Sequence, residues 1–193
     1  MRVTRASMTW AAHRGLYERL ARRFYRGVYN YLRWLCRDAD LAADLTQQAF
    51  VQIWRHPPEM RGEKPLRAWV YRVARNEYLQ HRRRANPEMA GFDECSESAP
   101  QDWARFDPHM RLEQSELRRA VRAALERLPE AYREVMVLHN LEGLSLDQVA
   151  AALSLPTGTV KSRRARAFAL LRDMLATEVN SDEMQPSASD ASG

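Results

Sequence analysis

Cysteine is nearly absent from this 193-residue sequence: Cys36 and Cys95 are the only two, and neither sits in a CxxC spacing. One possible pair is no disulfide framework, so a reducing cytoplasm is the expected compartment. Long apolar runs are missing as well. The amino terminus carries arginines without an apolar segment behind them, and nothing approaches the run of about 18 apolar residues that a membrane span needs. Glycine is scarce and no stretch alternates with period two, which turns the reading away from strands. The five histidines, His13, His56, His81, His109 and His139, form no ligand spacing with each other or with the cysteines, so no metal site is expected. There is no GxxxxGK[ST] phosphate loop, no GxSxG elbow and no paired-carboxylate motif, and neither a cofactor nor an enzymatic activity is expected.

What the chain does have is helical periodicity and positive charge. Hydrophobic residues make up 45% of it, enough for real cores, and the formal net charge of +5 comes from arginine far more than lysine. A basic chain is drawn to polyanions such as nucleic acid or an acidic membrane surface. From residue 10 to 85, Leu16, Leu20, Phe24, Val28, Tyr31 and Leu35, then Leu41, Leu45, Phe50 and Trp54, recur at helix spacing. From 86 to 113 the period fades among Pro87, Gly91, Pro100 and Pro108, and carboxylates outnumber arginines, as in a flexible acidic linker. Helical period returns over 114–176, with a break at Pro129 and an end at Gly143. The stretch 177–193 is polar, acidic and serine-rich, which predicts a disordered tail. The expected fold class is therefore all-α: two small helical domains joined by a flexible acidic linker.

The most informative stretch runs from Gly143 to Leu175. Ser145 followed by Gln148 is a capping box, opening a helix that turns Val149, Ala150 and Leu153 inward. Ser154-Leu155-Pro156 breaks it, and Thr157 is placed to cap a second helix through Val160, Ala167, Phe168 and Leu171. A short helix, a tight turn and a longer basic helix make a helix-turn-helix, whose second helix enters a major groove. Its outer side would carry Lys161, Ser162, Arg163 and Arg166, with Arg164 at the margin. Such side chains hold phosphate, and arginine also reads guanine edges. A solvated charged face is the plainer reading of any single charge run; the conjunction of cap, break and basic first turns favours DNA.

In the first half, the helix of residues 66–84 interleaves Arg67, Arg72, Arg75, Arg82, Arg83 and Arg84 with Trp69, Tyr71 and Tyr78. Cations that track a backbone and aromatic faces that stack on unpaired bases suit melted DNA. The alternative is that the aromatics are core, and for Trp69 core is the better assignment. The loop before this helix, 57–65, adds Arg61 and Lys64. Asp44, Gln47 and Gln48 share one polar side of the preceding helix, opposite Leu41, Leu45 and Phe50, and this side fits either a partner or plain solvent.

Three strings carry a resemblance to a known family. LPEAYREVMVLHNLEGLSLDQVAAALSLPTGTVKSRRAR (128–166) resembles region 4 of the extracytoplasmic-function (ECF) sigma factors of bacterial RNA polymerase. DLTQQAFVQIWR (44–55) and LRAWVYRVARNEYLQHRRR (66–84) resemble region 2. The resemblance implies a promoter-reading subunit, cytoplasmic and monomeric when free. Its partners would be the clamp and flap of core polymerase and promoter DNA, with an anti-sigma factor as a further possible partner. It implies polymerase docking through Asp44, Gln47 and Gln48. Arg61, Lys64, Arg72, Arg75, Asn76, Arg82 and Arg83 fall on the side that meets the minus-ten element. Lys161, Ser162, Arg163, Ala165 and Arg166 fall on the helix that meets the minus-thirty-five element. Departures from the family pattern are Gln48 for glutamate, Gln80 for aspartate, Ser154 for the turn glycine, Arg164 at a commonly apolar position and Phe168 where arginine is frequent. A regulator with a sensor domain is disfavoured by the helical, arginine-rich first half, and a polymerase-binding antagonist by the basic recognition helix.

Overall fold

The computed structural model describes residues 10–58, 62–86 and 116–182, and every regular element among them is helical. The first half is three helices: α1 (Trp10–Cys36), α2 (Ala39–Arg55) and α3 (Glu63–Ala85). The second half has four: α4 (Glu116–Arg127), α5 (Glu130–Met136), α6 (Leu146–Leu153) and α7 (Thr157–Asp182), with one π-helical turn (Val137–Leu141) continuing α5. Most of the expected linker, and the tail from 183 onward, lie outside the described residues. Within the expected tail, 177–182 is helical, a correction to the disorder predicted there: α7 continues to Asp182 because no proline or glycine interrupts it before Pro186.

The helix boundaries have local causes. The Asp38 carboxylate accepts the amides of Asp40 (2.8 Å) and Leu41 (2.9 Å), capping α2. Pro129 separates α4 from α5, and Gly143, at φ 69°, stops the π turn in a left-handed conformation that glycine adopts without strain. The capping box is present: the Gln148 amide donates to Ser145 Oγ (3.2 Å) and the Ser145 amide to Gln148 Oε1 (2.8 Å). The break at 154–156 is as expected, but Thr157 is the first residue of α7 and not its cap. Pro156 supplies the carbonyl that accepts the Val160 amide (3.2 Å), and the Thr157 hydroxyl bonds Asp147 Oδ1 (3.2 Å), tying the two helices of the motif together.

The two halves pack against each other. Val28, Tyr31 and Leu32 of α1, Leu45 and Ile53 of α2 and Val70 of α3 share one buried cluster with Val135, Val137, Leu138, Val149 and Leu153 of the second half. A smaller cluster, Leu125, Leu128, Met136, Ala167 and Leu171, holds α4, α5 and α7 to one another. Tyr78 is core, and Trp69 packs half-buried at the core margin, so the interleaved aromatics of α3 serve packing in this arrangement.

Candidate nucleic-acid interface

Along α3, arginines recur on the side that faces the second half, and each meets an acceptor there. Arg72 Nε donates to the Ala151 carbonyl at the end of α6 (2.9 Å), and its Nη2 bonds the same oxygen. Arg75 grips Glu134 through two bonds, Nε to Oε1 (2.9 Å) and Nη2 to Oε2 (3.3 Å). Arg82 Nη1 donates to Glu130 Oε1 (2.7 Å). Arg67 bonds the carbonyls of Glu142 and Gly143, and Gln148 donates to the carbonyl of Lys64 (3.1 Å). Asn76 and Arg83 are exposed, as is Lys64; Arg61 lies outside the described residues.

Tyrosines complete these contacts. Tyr31 donates to Glu134 Oε1 (2.8 Å), Tyr71 to Glu142 Oε2 (2.7 Å) and Tyr78 to Glu130 Oε2 (3.3 Å). Burial pushes the carboxyl of Glu130 above the usual range, against the pull of Arg82. Burial also raises Glu142, against the Tyr71 hydrogen bond and Arg67. Tyr31 is pushed well above the ordinary phenol value, first by burial and then by the charge of Glu134. Gly27 of α1 is closely covered at the same place. A Cβ there would stand 2.4 Å from the Tyr71 hydroxyl and 2.5 Å from Glu142 Oε2, so any larger residue would push these two side-chain ends aside and break their hydrogen bond.

The other two expected surfaces look outward. Asp44, Gln47 and Gln48 are exposed on α2, while Leu45, Ala49 and Phe50 go inward. On α7, Lys161, Ser162, Ala165 and Arg166 are exposed, Arg163 is half-buried, and Val160 and Ala167 are buried. Between α4, the π turn and α7 opens an apolar cleft of about 810 Å³, lined by Leu125, Met136, Leu141, Phe168, Leu171 and Leu175 among others.

The chain matches the family description Sigma-70 region 2 over residues 20–88 and Sigma-70, region 4 over residues 118–171. It is 33% identical over 136 residues to the RNA polymerase sigma-H factor of Pseudomonas aeruginosa, covering 67% of this chain and 70% of that one. It is 35% identical over 130 residues to the ECF RNA polymerase sigma-E factor of Escherichia coli, covering 64% of this chain and 68% of that one. The chain belongs to the ECF sigma factors. It is accordingly a subunit that directs promoter-specific transcription initiation. Among solved structures, the sigma factor RpoE of Bartonella quintana, determined with the anti-sigma factor NepR, superposes with a TM-score of 0.61 at 24% identity, covering 83% of this chain and 96% of that one. CnrH, determined with the cytosolic domain of CnrY, gives 0.58 at 25% identity, covering 89% and 92%.

Three departures from the sigma-factor pattern have a structural account. Arg164 is half-buried with its guanidinium over the ring of Phe168, 5.0 Å from the centroid, so the two unusual residues satisfy each other by a cation–π contact. Ser154 takes the left-handed conformation, φ 56° and ψ 42°, that glycine would supply. Sequence reasoning missed the acceptors of this sigma factor. Glu130 and Glu134 are one helical turn apart, a visible i, i+4 pair, but only the packing of α5 on α3 shows what they face.

Proposed function

We propose that this sigma factor divides its work between the two halves joined by the 86–113 segment. The α1–α3 half docks on the polymerase clamp through Asp44, Gln47 and Gln48, and meets the melted minus-ten strand with Lys64, Arg72, Arg75, Asn76, Arg82, Arg83 and Arg61 of the neighbouring loop. The α4–α7 half lays the first turns of α7 in the major groove at the minus-thirty-five element, with Lys161, Ser162, Arg163, Ala165 and Arg166 toward the DNA. The observation that carries this reading is the exposed basic start of α7, held behind a capping box and a three-residue break. The apolar cleft beside Leu141 and Phe168 supports flap docking, since an amphipathic helix of a partner buries its apolar side in such a groove. No chemistry by the protein itself is part of this function, and its place of work is the cytoplasm, beside the polymerase.

A further partner, an anti-sigma factor, belongs to the proposal because a similar structure was captured with one. In vitro transcription tests the reading: purified protein and core polymerase on fragmented genomic DNA, with start sites mapped. The wild type is expected to produce a defined set of starts sharing two upstream elements. Asp44→Arg is expected to lower core affinity, with altered on-rate and salt dependence, while leaving the helical content unchanged. Starts scattered without shared elements, or unchanged core affinity, would remove the corresponding assignment.

A further inference from the structure

The three α3 arginines assigned above to the minus-ten strand and bonded across the interface, Arg72, Arg75 and Arg82, meet backbone carbonyl or carboxylate oxygens of the second half. Glu130 and Glu134 are spaced by one turn of α5, Arg75 and Arg82 by two turns of α3, and the helices cross so that each arginine receives one carboxylate. The Arg75–Glu134 pair is the more enclosed, with side-chain exposures of 15% and 3%. Oxygen anions at hydrogen-bond distance from guanidinium forks are what a nucleic-acid backbone would present to the same side chains. The polar surface of α2 and the exposed residues at the start of α7 are not covered by this packing.

We propose that the second half acts in cis as a mimic of DNA: the carboxylates of Glu130 and Glu134 occupy the arginines of α3 in the free protein and exclude single-stranded DNA until polymerase separates the halves. The inference rests on the reading of α3 as the minus-ten surface. An order of events follows from which surfaces are left open. Core polymerase captures the closed protein through α2, and the α3 arginines are released only afterwards, so free protein does not occupy melted or single-stranded DNA elsewhere in the genome. Opening also uncovers Val135, Val137 and Leu138, so the closed form is held by apolar burial as well as by ion pairs.

Two substitutions pry the halves apart by unrelated means and leave every residue assigned to DNA in place. Glu134→Lys sets a cation against Arg75. Gly27→Ala keeps all charges and puts a methyl group into the space of the Tyr71 hydroxyl and the Glu142 carboxylate, displacing Glu142 from its bond across the interface. Full-length protein is labelled with a donor on α2 and an acceptor on α7, and binding of a fluorescein-labelled single-stranded DNA of mixed sequence is titrated without polymerase. The expected result is high transfer efficiency and weak DNA binding in the wild type. In both variants transfer is lost and DNA affinity rises by about tenfold or more, the equivalent of a modest 1.4 kcal/mol. Helical circular dichroism stays unchanged, and core-polymerase affinity rises, because polymerase no longer spends binding energy on separating the halves. Low transfer in the wild type, or variants that open without binding DNA more tightly, would overturn the proposal. The underlying reading is tested separately in the holoenzyme, where closure no longer matters. If Arg72→Ala/Arg75→Ala/Arg82→Ala in saturating polymerase initiates normally, α3 is not the DNA surface, and both claims fall.

Discussion

The arginines of α3 and those at the start of α7 are the same residue type on two helices assigned to the same polyanion, yet they live in different surroundings. On α3, Arg75 and Arg82 are partly buried against carboxylates of another helix. On α7, Arg166 is exposed, and its helix is anchored from behind by Val160, Ala167 and Leu171. An arginine that must read a duplex can stay in water at little cost, because the groove comes to it. An arginine set along a core-packed helix draws any acceptor that packs beside it, and its guanidinium is then desolvated whether or not DNA is present. Charge composition therefore reports that a surface can hold an anion and not which anion holds it.

The largest effect should come from breaking one side of this comparison. Arg75→Ala leaves Glu134 buried with Tyr31 as its remaining hydrogen-bond partner among the described residues. Loss of one member of a buried pair costs about 3–5 kcal/mol, but the protein can escape by separating its halves, so the cost is capped by the free energy of closing. The expected outcome in urea denaturation is a lower midpoint or a split transition. The matching change on α7, Arg166→Ala, should move stability by less than about 0.5 kcal/mol. Its effect should be on promoter choice, by about 1–3 kcal/mol of discrimination at one base of the upstream element. Uniform loss of activity across a randomised upstream library would make Arg166 a phosphate clamp and not a reader.

A smaller effect sharpens the α7 side. Ser154 holds a left-handed conformation that costs an L-residue about 1–2 kcal/mol, so Ser154→Gly should raise the unfolding free energy of the second half by up to that amount, less glycine's larger loss of chain entropy. A thermal melt that shifts downward would show that the serine side chain contributes more than the backbone strain costs.

The smallest effect is the pH dependence of closure. Glu130 faces Arg82 and Tyr78 of α3, with Glu134 and Arg133 on its own helix; Glu142 faces Tyr71 and Arg67 of α3 and Arg26 of α1. Both carboxyls are raised by burial, so the closed form binds protons more readily than an open form in which they are solvated. Closing is thus favoured as pH falls through the raised values toward the ordinary 4.5, and that contribution is lost as pH rises through them. The buried phenols of Tyr71 and Tyr78 act in the same direction at alkaline pH. Transfer efficiency between α2 and α7 should therefore decline slightly as pH rises from the ordinary carboxyl value of 4.5 through the raised values of Glu130 and Glu142. A rise instead would mean that the ion pairs with Arg82 and Arg67 outweigh burial.

Much of this arrangement is legible before any coordinates. The capping box at Ser145, the stop at Gly143, the break at Pro129 and the inward sides of α1 and α2 depend on neighbours within one or two turns, and local chemistry determines them. The burial of Tyr71 and Tyr78 was less legible, because an aromatic at helical spacing in an arginine-rich helix serves core and base-stacking alike until the opposing element is known. The pairing of Arg75 with Glu134 was not legible at all: 59 residues separate them, and the intervening chain carries no register that would bring α5 onto α3. Thr157 departs from the expected cap for a nearer reason. A hydroxyl at a helix start can cap its own helix or bond the one before it, and the Asp147 carboxylate was within reach.

The π turn at Val137–Leu141 has a consequence for how insertions and deletions would be read by this fold. There the Glu142 amide bonds back five residues to the Val137 carbonyl (2.9 Å), one residue more than an α-helix takes. Such a turn is an α-helix that has absorbed one surplus residue. Because an α-helix rotates by about 100° per residue, excising one residue there would let the helix run on regularly. The carboxylate of Glu142 would then swing about a quarter-turn away from Tyr71 and out of the pocket over Gly27. The phase of α5 relative to α6, and with it the alignment of the helix-turn-helix on the first half, is thus encoded in a count of residues as much as in their identities.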